Sequence, residues 1–157
     1  MRRRSTWQAY DDAARTGRYG SPPDDAGEVA RSADSEGEAA FFSSAVAGRR
    51  RILDVGCGPG GLLVALADCV KAVWGIDAAP SMLGLARQTV TASGIANVYL
   101  ARGLAEALPF ADGAFDGFAI SGTLESVADP AAVLAEVARV SAPGAVAASL
   151  EWDRPQS

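Results

Sequence analysis

The residues best equipped for chemistry are two acids and a run of glycines. Asp54-Val55-Gly56-Cys57-Gly58-Pro59-Gly60-Gly61 links a short apolar run to a helical pattern. Glycines at such a turn permit tight backbone geometry and let a ligand come close to the main chain. The helix that follows offers free N–H groups at its start. Asp77 ends the next apolar run, where a carboxylate can accept two hydrogen bonds from the vicinal hydroxyls of a ribose. Acids at strand ends are otherwise costly, which favours a binding role for Asp54 and Asp77. Gly56, Gly58 and Gly61 fit GxGxxG, the dinucleotide fingerprint. Gly56, Gly58 and Gly60 fit GxGxG, with Asp54 ahead of the first glycine. A carboxylate at Asp54 repels a pyrophosphate and suits a ligand that carries positive charge.

Alternating strand and helix patterns must position these groups. Ala39 to Ala47 reads as a short helix with Phe41, Phe42, Ala45 and Val46 on its buried side. Arg51 to Val55 reads as a buried strand. Leu62, Leu63, Leu66 and Val70 then recur at helical spacing. Ala72 to Ile76 is a second strand. Pro80 opens a helix whose stripe is Met82, Leu85, Ala86 and Val90, and Gly94 stops it. Asn97 to Ala101 and Phe115 to Ile120 are the third and fourth strands. Asp129-Pro130 caps and opens a last helix, buried through Val133, Leu134, Val137 and Val140. Pro143-Gly144 is predicted to end it, and Ala145 to Leu150 to form strand five. Such alternation with short links predicts parallel strands, right-handed crossovers and a sheet covered on both faces.

Length and composition narrow the class. The chain has 157 residues, 49% hydrophobic and 21% charged, which suits one domain with one real core. No apolar run approaches the ~20 residues of a membrane helix. The basic start, Arg2-Arg3-Arg4, is followed by polar residues and not by the apolar segment of a signal peptide. A cytoplasmic location is therefore expected. A net charge of −5 argues against nucleic-acid binding. The chain has no histidine, which removes His triads, His metal sites and the commonest general base. Cys57 and Cys69 form no CxxC or zinc spacing, so no metal site is predicted.

Residues 1–37 are polar, with Pro22-Pro23 and the acids Asp24, Asp25, Glu28, Asp34 and Glu36, and are read as partly mobile or as a lid. Trp7, Tyr10 and Tyr19 could dock on the core or cover a ligand. Residues 38–157 form the expected ligand-binding domain.

Taken together, these segments resemble class I S-adenosylmethionine (SAM) methyltransferases. The GxGxG turn with its preceding acid is similar to their first motif. "GIDAAPSML" (Gly75 to Leu83) resembles the second. "GLAEALPFADGAFD" (Gly103 to Asp116) and "VADPAAVLAEVARVSAPGA" (Val127 to Ala145) resemble the segments before strands four and five. The likeness covers roughly residues 38–152 and is strongest to the small-molecule group that includes quinone-biosynthesis enzymes.

The resemblance implies a Rossmann-like doubly wound α/β sheet in strand order 3-2-1-4-5. It implies SAM as cofactor, with its tail near Asp54 and along Gly56, Cys57, Gly58 and Gly60. Asp77 would bind the ribose, Ala78 and Met82 would flank the adenine, and Ala105 and Glu106 would lie at its edge. Ser121 would lie near the methyl group. The implied reaction is SN2 methyl transfer to a small-molecule acceptor. Glu125 is the carboxylate candidate for a base, with Tyr10 or Tyr19 behind it. Plainer readings are a core role for Met82, a solvated loop charge for Glu106 and Glu125, and a strand cap for Ser121. The competing functions are a non-catalytic SAM-binding domain or fragment and an NAD-dependent oxidoreductase.

The chain departs from the family at Leu104, where an adenine-binding Asp is usual, at Ala79, where Ser is commoner before the helix, and at Ser141 and Ala145. The usual C-terminal strand hairpin is missing, so the chain is expected to be incomplete there. A bare fifth-strand edge is then expected to promote self-association.

Overall fold

The computed structural model describes Gln8, Asp11, Asp12, Arg15 and residues 35–151. In chain order the elements are α1 (Ser35–Val46), β1 (Arg51–Val55), α2 (Gly61–Ala67), β2 (Ala72–Asp77), α3 (Pro80–Ser93), β3 (Val98–Arg102), β4 (Phe115–Ser121), α4 (Pro130–Val140) and β5 (Ser141–Leu150). The strands form one sheet in the order β3-β2-β1-β4-β5, and every neighbouring pair is parallel. This is the expected Rossmann-like α/β fold.

β1 sits at the centre because all of it beyond Arg51 is buried. Alternate residues serve opposite faces, as strand geometry requires. Ile52 joins Val73, Ala119 and Ala148 beneath Phe42 and Val46 of α1, Leu63 and Leu66 of α2, and Leu83 of α3. Leu53 and Val55 join Phe118 and Ile120 beneath Val133, Val137 and Val140 of α4. Burying each such side chain contributes about 1.5–3 kcal/mol. On the second face Trp74 and Tyr99 stack with ring centroids 4.7 Å apart, and the Arg51 guanidinium lies 4.9 Å from the centre of the Trp74 ring.

Local chemistry sets the helix ends. Asp129 accepts a hydrogen bond from the Ala132 N–H at 3.0 Å, capping α4 as expected. Gly94 closes α3 at φ 68°. Ala79 provides no side-chain cap at the start of α3; Asp11 does so from far along the chain, accepting from the Ser81 N–H at 2.8 Å. α1 begins at Ser35, earlier than the expected Ala39 and across the boundary placed at residue 37. α2 ends at Ala67, so Val70 lies beyond it. There the Asn97 side-chain amide donates to the Ala67 carbonyl at 2.9 Å and, more loosely, to those of Val70 and Lys71. Such carbonyls at a helix end need outside partners.

The Pro143-Gly144 reading requires correction. α4 stops at Val140, and β5 already begins at Ser141. Ser141 is extended, and its hydroxyl donates back to the Val137 carbonyl at 2.6 Å. Pro143-Gly144 instead forms an irregularity inside β5. The pairing passes from Phe115 with Ser141 to Gly117 with Val146, so β5 carries extra residues there. Gly144 takes φ 75°, and its carbonyl accepts from the Arg49 guanidinium at 3.0 Å. An edge strand tolerates Pro because no further ladder requires its missing N–H.

Candidate functional site

The carboxyl ends of β2, β1 and β4 lie side by side, because these strands are parallel and adjacent. Chain order reverses direction across the sheet between β1 and β4, and open α/β sheets bind ligands at such a point. Asp54, Asp77 and Ser121 all stand on this rim.

The turn after β1 is fastened from below. The Gly56 and Cys57 N–H groups both donate to the Ile76 carbonyl at 2.9 Å. The Gly58 N–H donates to Asp77 Oδ2 at 2.9 Å. These donors hold the turn to β2. Gly56, Gly58 and Gly60 have φ of 78°, 51° and 90°, a region that side-chain-bearing residues rarely adopt. A Cβ at Gly56 would lie 2.3 Å from Thr123 Oγ1, and one at Gly60 would lie 3.0 Å from the Ala86 Cα. A Cβ at Gly61 would meet nothing within 4 Å. In a dinucleotide fingerprint the third glycine permits close helix–strand packing. Gly61 has no such need, so the geometry favours GxGxG over GxGxxG.

Asp77 Oδ1 accepts from the Ala79 N–H at 2.9 Å. With Gly58 on Oδ2, each oxygen keeps acceptor capacity for a ligand hydroxyl. Burial pushes the Asp77 carboxyl up, while the Ala79 and Gly58 N–H groups pull it down.

Asp54 is only 2% exposed. Its register neighbours on the same face are Gly75 and Ala119, neither of which has a polar side chain. Among the described residues Oδ2 has no hydrogen-bond partner. Burial, reinforced by the charges of Asp77 and Glu38, pushes the carboxyl up to about 8. Burial also pushes the Cys57 thiol up, so it stays neutral and packs in the core.

The rim also holds residues that the sequence reading missed as site members. Glu38, on the first turn of α1, accepts a hydrogen bond from the Ser121 hydroxyl. Thr123 is buried and donates to the Val55 carbonyl at 2.6 Å, filling the space that Gly56 leaves. Asp11 lies against the start of α3. Glu38 belongs to an acidic stretch that reads as solvated, and only the docking of α1 through Phe42 and Val46 brings it here.

The remaining expected residues divide. Ala78 follows Asp77 and is half-buried, and its carbonyl accepts from the Arg102 side chain at 3.4 Å. Met82 is buried, in keeping with its core reading. Ala105 and Glu106 lie in the loop after β3, half-buried, with Ala105 against the α4-side core. Arg139 secures that loop, donating to the Leu108 and Phe110 carbonyls at 2.9 Å. Glu136 accepts from the Leu108 N–H at 2.7 Å. Glu125 is exposed in the loop after β4, and its N–H donates to Glu151 at 3.3 Å. Tyr10 and Tyr19 lie outside the described residues.

Three carboxyl groups thus gather at this rim, one of them buried with an oxygen that has no partner among the described residues. That suits a ligand with cationic groups and a ribose, and opposes a pyrophosphate. The methyltransferase domain family matches residues 53–149, and the chain belongs to that family, with SAM as its cofactor. Demethylmenaquinone methyltransferase from Geobacillus kaustophilus is 40% identical over 109 residues, 68% of this chain and 47% of that protein. The enzyme of the same name from Lactiplantibacillus plantarum is 40% identical over 114 residues, 70% of this chain and 48% of that one. The crystal structure of a SAM-dependent methyltransferase from Aquifex aeolicus aligns with a TM-score of 0.68 at 28% identity, covering 79% of this chain and 68% of that one. The chain spans about half the length of the curated relatives it matches.

Proposed function

We propose that this protein transfers the methyl group of SAM to a small-molecule acceptor by SN2 displacement. When bound, the cofactor supplies a methyl group on a positively charged sulfur, already activated toward a lone pair. The protein then has mainly to align and to exclude water. Asp77 accepts from the ribose hydroxyls while holding Gly58. The positive-φ glycines let the cofactor tail approach the main chain, and Asp54 faces its charge. Ala78 and the loop with Ala105 and Glu106 border the adenine. Ser121, held by Glu38, borders the methyl group. Glu125 takes a proton from an acceptor that is not already ionised.

The observation that carries this reading is the unsatisfied carboxyl oxygen of buried Asp54 beside Asp77. The relatives' name makes demethylmenaquinone the first acceptor to assay. Calorimetric titration should show heat with S-adenosylhomocysteine and none with NAD, and heat with NAD alone would overturn the proposal. Turnover over an acceptor panel separates it from the second reading, a SAM-binding module without catalysis.

The same proposal assigns residues 38–157 to the cofactor domain, together with the start of α1 from Ser35. It places the protein in the cytoplasm, away from membrane and nucleic acid. No helix among the described residues is long and apolar enough to cross a membrane. Self-association through the β5 edge is part of the proposal, and sedimentation at rising concentration tests it.

A further inference from the structure

We propose that Ser121, with Glu38 behind it, receives the proton of the methyl acceptor, and that the acceptor is therefore a molecule with an un-ionised hydroxyl or amine at its point of attack. This rests on the methyl-transfer reading above and gives the reaction a proton outlet besides Glu125.

Three observations support it. Ser121 ends β4 and follows Ile120, the partner of Val55, so it stands level with the first glycine of the turn. The backbone beyond it is fixed: the Gly122 N–H donates to the Leu150 carbonyl at 2.9 Å, and the Thr123 hydroxyl to the Val55 carbonyl at 2.6 Å. The Ser121 hydroxyl donates to the carboxylate of Glu38, 83 residues earlier, and both residues are half-buried.

The packing of α1 builds this contact. Phe42 shares a core with Ala119. Glu38 lies one turn before Phe42, ~6 Å along the helix, and Ser121 lies two residues beyond Ala119, ~6.6 Å along the same face of the strand. The short link from Val46 to Arg51 turns α1 back against the parallel strands, so both steps lead to the rim.

A hydroxyl has one hydrogen to donate. Glu38 takes that of Ser121, so Oγ meets a ligand with lone pairs only. A bare anionic oxygen finds no donor there. A hydroxyl or amine donates its hydrogen to Oγ and turns a lone pair toward the methyl group. The balance closes: the lone pair bonds the methyl carbon, and the carbon–sulfur bond breaks with its electron pair left on sulfur. The acceptor's proton goes to Ser121 Oγ, and the serine's own proton goes to Glu38 and then to solvent.

The test compares phenol with 4-nitrophenol as acceptors, with SAM, at a pH between their two pKa values, where phenol is protonated and nitrophenol ionised. S-adenosylhomocysteine formation is the readout. Glu38→Gln and Ser121→Ala should each lower the phenol-to-nitrophenol ratio of kcat/KM by ~100-fold, the loss typical of a missing proton acceptor. Ser121→Thr, which keeps the hydroxyl, should hold that ratio within a few-fold of wild type. Equal losses on both phenols, or a wild-type ratio in Glu38→Gln when Glu125→Gln lowers it, overturn this inference and leave methyl transfer standing. So does turnover of other acceptors with neither phenol methylated. No turnover of any acceptor overturns it together with the methyl-transfer reading.

Discussion

The carboxylate of Asp77 holds the N–H of Gly58, 19 residues earlier in the sequence, at 2.9 Å. The residue expected to grip the ribose is therefore also the clasp of the glycine turn, so cofactor affinity and turn geometry rise and fall together. Asp77→Ala should weaken S-adenosylhomocysteine binding by ~1.5–3 kcal/mol through loss of hydrogen bonds to a charged group. Calorimetry on the variant checks this, and unchanged affinity would remove the ribose role.

Asp54 gives the free protein an unusual dependence on pH. Burial lifts its carboxyl from the ordinary 3.8 to about 8 in the folded protein. Between those values the folded state binds a proton that the unfolded state lacks, so stability falls as pH rises through the window. The melting temperature of the free protein should decline from pH 5 to pH 8 more than that of Asp54→Asn. Parallel profiles for the two would count against the buried neutral acid.

Gly56 and Gly61 should respond oppositely to alanine. Gly56→Ala places a methyl 2.3 Å from Thr123 Oγ1 at φ 78°, and should destabilise by about 1–3 kcal/mol. Gly61→Ala meets open space at the start of α2, and should be neutral or stabilising by up to about 1 kcal/mol. Chemical denaturation of both variants measures the contrast. A large loss at Gly61 would revive the GxGxxG reading.

Arg139 should matter to a loop rather than to the chemistry. Its guanidinium ties the Leu108 and Phe110 carbonyls to Glu136 and Asp112. Arg139→Ala should hasten proteolytic cleavage between residues 103 and 114 and lower the melting temperature. Lysine should restore little, since a single ammonium cannot reproduce the planar fork.

Asp11→Ala removes the N–H acceptor at the start of α3 and should cost ~1 kcal/mol, the usual loss for a missing helix cap. The Ser81 N–H holds the Asp11 carboxyl below its ordinary value, so this contribution is present near neutral pH and is lost as pH falls through the lowered value. A urea melt at pH 7 and again at low pH should show the wild type and variant converging.

Much of this architecture is legible in the sequence where a local signal and the tertiary demand agree. Arg51–Val55 is an apolar run at the sheet centre, and both Pro80 and Asp129-Pro130 carry their own start signals. Strand order followed from resemblance. The misses share a cause: the deciding partner is distant in sequence. Pro143-Gly144 looks like a helix stop, but pairing with β4 begins at Ser141 and absorbs both residues. Val70 keeps helical spacing, but Asn97 takes up the carbonyls at that end. The absent cap at Ala79 is made good by Asp11. At the site, the glycines and Asp54 and Asp77 announced themselves through motif and charge. Glu38 and Thr123 did not, because one sits in a polar tract and the other in an ordinary loop.

The helix that presents Glu38 at the rim also drives Phe42 and Val46 to full burial against the sheet. Any pull on that acid is felt by the hydrophobic interior through a single rigid rod. Ligand occupancy should therefore be readable at a distance, as slowed amide exchange along α1 well away from the point of contact.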